Sequence, residues 1–199
     1  MKSVLISIQP KWCGLIASGK KTVEVRKTRP KIDTPFKCYI YCTSSNVHDC
    51  LMVNESGTKR IATINYKTAI PCGGYIGNGK VIGEFVCDAF EFYTSNCTVF
   101  ESVLLPSPND LEEMCLTLEE FNDYGTRGKL LYGWHISDLV IYDKPKELSE
   151  FKKIDRECWY ADLGLAKRDC HECQNKGCLM QRPPQSWCYV EELKGGAEG

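Results

Sequence analysis

Gly19-Lys20-Lys21-Thr22-Val23-Glu24-Val25-Arg26 is the stretch on which the reading of this chain turns. It follows a short helical pattern and opens an alternating run. Along a strand, successive side chains point to opposite faces. Thr22, Glu24 and Arg26 therefore share one face, while Val23 and Val25 take the other and can pack inward. Glu24 and Arg26 then stand at a mouth or groove, with Lys21 where the strand begins. Two cations beside one carboxylate favour its ionised form. Read without further context, the pattern is equally that of a half-buried strand with a solvated charged face.

Working outward, Ser3 to Ile8 alternates and carries β-branched residues, which predicts a strand. Pro10 suits a first helical turn. Trp12, Leu15 and Ile16 fall at helical spacing, and Gly19 ends that helix. The charged strand comes next. Arg29-Pro30-Lys31 breaks it. Phe36 to Thr43 reads as a third strand, with Cys38, Ile40 and Cys42 on one face and Tyr39 and Tyr41 on the other. The fixed residues Gly19, Lys21, Glu24 and Arg26 together resemble the Gly-x-Lys-x-x-Glu-x-Arg signature of the ASCH domain, a relative of the PUA RNA-binding barrel. Tyr132-Gly133-Trp134-His135-Ile136 is similar to that family's closing strand. The resemblance covers residues 1–145 loosely and the first forty well. It is to a bacterial or phage-type member with a cysteine-rich C-terminal extension.

The pattern weakens between 44 and 79, a segment read as an insertion over a barrel mouth. Lys59 to Ile70 fits helix and strand alike. Gly73-Gly74-x-x-Gly77-x-Gly79 lacks the strand-before, helix-after context of a phosphate loop. Lys80 to Tyr93 is rich in β formers, with Gly83 marking a bulge. Asp110 to Cys115 and Leu118 to Tyr124 read as short helices. Thr117 and Glu120 form a capping box for the second. Lys129 to Tyr142 is read as the last barrel strand. The expected fold is α+β: a small PUA-like mixed β-barrel with a few short helices and a Cys-rich C-terminal extension. Residues 1–145 form the barrel, 146–193 the extension packing on it, and 194–199 a disordered tail.

Composition limits the function classes. The chain has 199 residues, and 43% apolar with 26% charged is ordinary for a globular protein. No apolar run approaches the roughly 20 residues of a membrane span, so no membrane role is expected. Met1 to Leu5 shows no secretory pattern, which predicts a cytoplasmic protein. The net charge of −1 argues against tight non-specific nucleic-acid binding. Residues 1–40, however, hold nine cations against two carboxylates, +7, leaving −8 for the remainder. That asymmetry predicts a local basic patch.

Thirteen cysteines in a reducing compartment point to metal where they cluster. Cys170, Cys173, Cys178 and Cys188 have the spacing Cys-x2-Cys-x4-Cys-x9-Cys, with Gly177 to bend the chain. Short-spaced thiolates closed by ligands from elsewhere suit a structural zinc ion. Cys158 or His171 can replace one ligand, and four thiolates also suit an iron–sulfur cluster. Free thiols in a loop are the remaining reading. After the cluster, Arg182-Pro183-Pro184-Gln185-Ser186 is a rigid extended linker, and Trp187 to Val190 reads as a strand returning to the barrel.

The resemblance implies RNA or a modified nucleotide or nucleoside as partner. Lys20, Lys21, Glu24, Arg26 and Lys27 are the candidate ligand-binding residues. Arg29 is a further phosphate contact, and affinity is expected to fall steeply with salt. Tyr39 and Tyr41 are candidate stacking faces for bases. Trp12 and Trp134 are read as core. The alternative is a small hydrolase, either acylcytidine amidohydrolase-like or a ribonuclease, with Lys21 and Glu24 catalytic. A desolvated lysine beside a carboxylate can serve as general base. In the amidohydrolase relatives the position of Glu24 is a threonine, the presumed nucleophile, so this chain departs there. Glu24 would instead orient water. Glu112 or Glu113 is the nearest match to the relatives' second carboxylate. A third class, an inert barrel whose cysteine clip docks a partner, has no direct support in the sequence.

Overall fold

In a computed structural model, the described residues are 1–44, 48–53, 59–64, 74–94, 105–125, 129–154 and 179–193, with 48–53 and 59–64 described by backbone alone. The strands are β1 (Lys2–Ile8), β2 (Val23–Arg26), β3 (Phe36–Cys42), β4 (His48–Val53), β5 (Lys59–Ile64), β6 (Gly74–Ile76), β7 (Val81–Thr94), β8 (Leu130–Lys146) and β9 (Trp187–Glu191). The helices are α1 (Pro10–Ala17), α2 (Pro108–Met114) and α3 (Leu118–Gly125). No helix among the described residues is long and apolar enough to cross a membrane.

The main sheet has six strands in the order β2-β8-β7-β3-β1-β9. β1 and β3 run parallel and every other pair is antiparallel. The alternation seen in sequence becomes two cores. Val4, Ile6 and Ile8 of β1 join Phe36, Cys38, Ile40 and Cys42 of β3 on one face, under Cys13 and Ile16 of α1. Leu5, Tyr39 and Tyr41 point the other way, into a cluster with Phe151, Met180 and Val190. A third cluster joins Val23 and Val25 to Met114 of α2 and Phe121 of α3.

One expectation needs correction. The barrel does not close. Among the described residues β2 and β9 are the two ends of an open sheet, not ladder partners. β2 leaves extended pairing after Arg26, and Pro183 and Pro184 ahead of β9 have no N–H to extend a ladder. β9 is the strand expected from Trp187 to Val190, and it returns to the main sheet by pairing with β1, Ile6 opposite Trp187. Segment 44–79 contains a separate three-stranded sheet, β5-β4-β6, whose weak alternation hid it. The ambiguous stretch from Lys59 is strand as far as Ile64.

Gly83 sits at the predicted bulge, where the β7 register shifts. A Cβ there would lie 2.4 Å from the Val140 carbonyl oxygen. Gly83→Ala is therefore expected to cost about 1–3 kcal/mol, because the long β7–β8 ladder must move to admit it. Denaturant melting checks this. A loss within the scatter of ordinary surface substitutions, about 0.5 kcal/mol, would contradict it.

Candidate functional site: a cleft at the open seam of the sheet

Gly19 takes φ +72 after α1, a conformation glycine adopts without strain. The Lys20 and Lys21 amides then bond back to the Leu15 carbonyl, at 3.0 and 3.1 Å. This turn delivers Lys21 directly before β2. Its Nζ donates to the Met114 carbonyl at 2.6 Å. That carbonyl belongs to the last residue of α2, one of the helix-end acceptors left without an intrahelical partner. The same Nζ lies 3.5 Å from Glu24 Oε2, and Arg26 Nη2 lies 2.9 Å from Glu24 Oε1. Arg26 Nη2 also donates to the Ser7 carbonyl of β1 at 2.6 Å. One guanidinium thus spans the gap between the sheet's first strand in space and its far side. Trp187 Nε1, donating to Thr28 Oγ1 at 3.0 Å, crosses it a second time.

The lysine–glutamate–arginine trio is not a solvated face. The Lys21 side chain is 3% exposed, Glu24 7% and Arg26 11%. Burial pulls the Lys21 pKa below its ordinary 10.5, while the Glu24 carboxylate opposes that shift. A lysine held this way reaches its neutral, proton-accepting form more readily than an exposed one.

The trio lines a cavity of about 580 Å³. β1 and α1 contribute Ser7, Gln9 and Trp12. Leu116, Glu120, Asp123 and Tyr124 come from the α2–α3 side, and Gln185 from the segment before β9. Pockets of this size hold a molecule of nucleoside dimensions. The lining carries two cations, Lys21 and Arg26, against three carboxylates, Glu24, Glu120 and Asp123. It is not an electropositive groove.

Of the sequence candidates, Lys21, Glu24 and Arg26 come together as expected. Lys20 is exposed and does not line the cavity. Lys27 stands at the rim, its Nζ 4.9 Å from the Tyr124 ring centroid. Three cations of the basic segment engage partners that do not line the cavity. Arg29 lies over Phe90 and Phe92, Lys2 over Tyr189, and Lys37 pairs with Glu84 and Glu192. Tyr39 and Tyr41 are core residues, 0% and 5% exposed, and cannot stack on bases. Trp134 is core, as read. Trp12 packs against the same core while it stands half-buried on the cavity wall, with Lys11 Nζ 4.4 Å and Lys21 Nζ 5.1 Å from its ring. Neither Glu112 nor Glu113 lines the cavity, and Glu120 and Asp123 do. Glu120 closes the predicted capping box, accepting from the Thr117 amide at 2.9 Å, and this bond leads the lowering of its pKa.

Cys170, Cys173 and Cys178 lie outside the described residues, as do Cys158 and His171. Cys188 is in β9 opposite Leu5, turned into an apolar cluster with its Sγ 4.0 Å from Met180 Sδ. Among the described residues no group of three or more His, Cys, Asp or Glu is placed to hold a metal.

Sequence reasoning missed Gln185, Glu120, Asp123 and Tyr124 as cavity residues. The i, i+3, i+4 spacing of the last three marks one helix face. Gln185 carries no local signal, because only long-range pairing of β9 with β1 brings it here.

The ASCH domain family model matches residues 6–160. The chain belongs to the ASCH domain family. Among solved structures it is similar to ASCH from Zymomonas mobilis, at 18% identity and TM-score 0.47, covering 96% of this chain and 88% of that one. A tyrosine-to-phenylalanine mutant of the same Zymomonas mobilis protein matches at 18% identity and TM-score 0.48, covering 96% of this chain and 92% of that one. No curated protein matches.

Proposed function

We propose that the cleft binds a nucleobase-bearing guest, either a free modified nucleoside or an unpaired residue of RNA. Family membership supports the nucleic-acid connection. The observation that carries the reading is the buried Lys21–Glu24–Arg26 trio on the wall of a nucleoside-sized cavity. Fixed donors beside a fixed acceptor suit the hydrogen-bonding edge of a base, and Trp12 offers an aromatic wall. The lining charges argue for recognition of the base more than of phosphate.

This makes the salt dependence diagnostic. For a short single-stranded RNA, log K against log salt should have a slope no steeper than about −1, since each neutralised phosphate contributes roughly −0.7. Trp12 fluorescence can follow the titration. Lys21→Ala should weaken cytidine, acylated cytidine and RNA together by at least about tenfold, the scale of a lost charged hydrogen bond. A slope near −3 or steeper, or undiminished binding by Lys21→Ala, would contradict this reading.

A hydrolase is the second reading, and the lowered pKa of Lys21 favours it. Glu24 would orient a water, neutral Lys21 would take its proton as the oxygen adds to the acyl carbon, Arg26 would face the negative charge developing on the carbonyl oxygen, and the Lys21 ammonium would return the proton to the cytidine amine as the C–N bond breaks. Turnover of acylated cytidine by the purified protein, lost in Lys21→Ala, would decide for it.

For the C-terminal cysteines we retain a structural zinc ion as a proposal. Its proposed ligands are Cys170, Cys173, Cys178 and Cys188, with Cys158 or His171 able to replace one of the four. Metal analysis should find about one zinc per chain, reduced in Cys173→Ser. A zinc-free protein, or a brown one absorbing in the visible as an iron–sulfur cluster does, would overturn it.

A further inference from the structure

We propose that Gln185 is a specificity-determining contact for the guest, reading the hydrogen-bonding edge of its base. The inference rests on the nucleobase reading of the cleft and adds to it a residue beyond the family match, which ends at 160.

The segment that carries Gln185 is clamped on both sides of it. Ser7 Oγ donates to the Pro184 carbonyl at 2.6 Å, and the Ser7 amide donates to the Ser186 carbonyl at 2.8 Å. Immediately downstream, Trp187 Nε1 bonds Thr28 and the Trp187 ring packs against Trp134 and Tyr189, with centroids 6.1 and 5.4 Å away. Upstream, Pro183 and Pro184 each fix φ. The backbone at 185 is therefore held rigidly in register with Ser7, whose carbonyl is the one that Arg26 grips. Only the Gln185 side chain is left uncommitted. It lines the cavity and makes no hydrogen bond among the described residues.

The chemistry of that side chain differs from the trio's. Glu24 can only accept, and Lys21 and Arg26 in their charged forms can only donate. A primary carboxamide presents one donor face and one acceptor side by side. Such a pair matches a base edge, where a ring nitrogen sits beside an amino or carbonyl group. A ribose diol can also take one donor and one acceptor, so free ribose is the control that separates a sugar contact from a base contact. Gln185 is exposed, so its carboxamide exchanges water for the base edge, and a guest without that edge gains nothing there.

The test uses the full chain with cytidine, uridine and ribose as probes, followed by calorimetry or Trp12 fluorescence. Gln185→Ala should weaken both nucleosides by about tenfold. It should leave the melting temperature and any ribose binding unchanged, since the side chain supports no described contact. Gln185→Glu, which keeps the shape but loses the donor, should alter the ratio of cytidine to uridine affinity. Wild-type binding of nucleosides with both variants matching wild type would overturn this inference and leave the cleft's function standing. Equal losses for nucleosides and ribose alike would mean a sugar contact or a merely structural role and would also overturn it. A wild-type protein that binds neither these nucleosides nor acylated cytidine nor a short single-stranded RNA would overturn both readings.

Discussion

Glu24→Gln is expected to destabilise the protein by about 3 kcal/mol and to abolish ligand binding, because it strips the shared counter-ion from two buried cations. Gln keeps the volume, so packing loss does not explain the cost. Lys21 can relieve its share by releasing a proton. Arg26 cannot. The guanidinium would remain 11% exposed with only the Ser7 carbonyl and a neutral amide as acceptors. For a domain of this size the loss corresponds to a fall of roughly 6–12 °C in Tm. Pairing Glu24→Gln with Lys21→Met in a double-mutant cycle should give a coupling of about 1–3 kcal/mol. A loss near 0.5 kcal/mol, typical of an exposed pair, would mean that the trio is solvated after all.

The second large effect is on pH dependence, and its direction follows from Lys21. Its folded pKa lies below the ordinary 10.5, chiefly through burial. Between those two values the unfolded chain binds the proton and the folded chain has released it. Stability must then rise with pH across that window, and fall as pH drops through the folded pKa and the buried ammonium forms. Subtracting the stability of Lys21→Met from that of wild type at each pH isolates this contribution. The difference should grow in favour of wild type as pH climbs towards 10.5. If the cleft is catalytic, its rate should rise through the same lowered pKa, and Lys21→Arg should lose that limb. A wild-type difference that shrinks on the alkaline side would show that ion pairing, and not burial, dominates at Lys21.

Much of this was legible in the sequence where local periodicity carries the information. The alternation in β1 and β3 assigned Cys38, Ile40 and Cys42 to one core and Tyr39 and Tyr41 to the opposite face. The glycine at 19 and the capping box of Thr117 and Glu120 marked helix ends through chemistry that acts within a few residues. What failed was long-range. A strand count cannot say whether a sheet closes, and here the seam stays open because β2 is short and prolines precede β9. That seam holds the candidate site. Charge counts along residues 1–40 could not show that Arg29, Lys2 and Lys37 find separate aromatic and acidic partners. Tyr39 and Tyr41 looked available for stacking only because one face of their strand had no assigned cover, and Phe151 and Met180 supply it.

The most direct test of the account is an NMR titration of the isotopically labelled chain with cytidine. The account predicts the largest shifts at the side chains of Arg26 and Gln185, the Trp12 indole and the backbone of Lys21 to Arg26, all saturating together. Shifts confined to the exposed aromatic surface around Phe92 and Tyr132, or none in the cleft at millimolar cytidine, would contradict it.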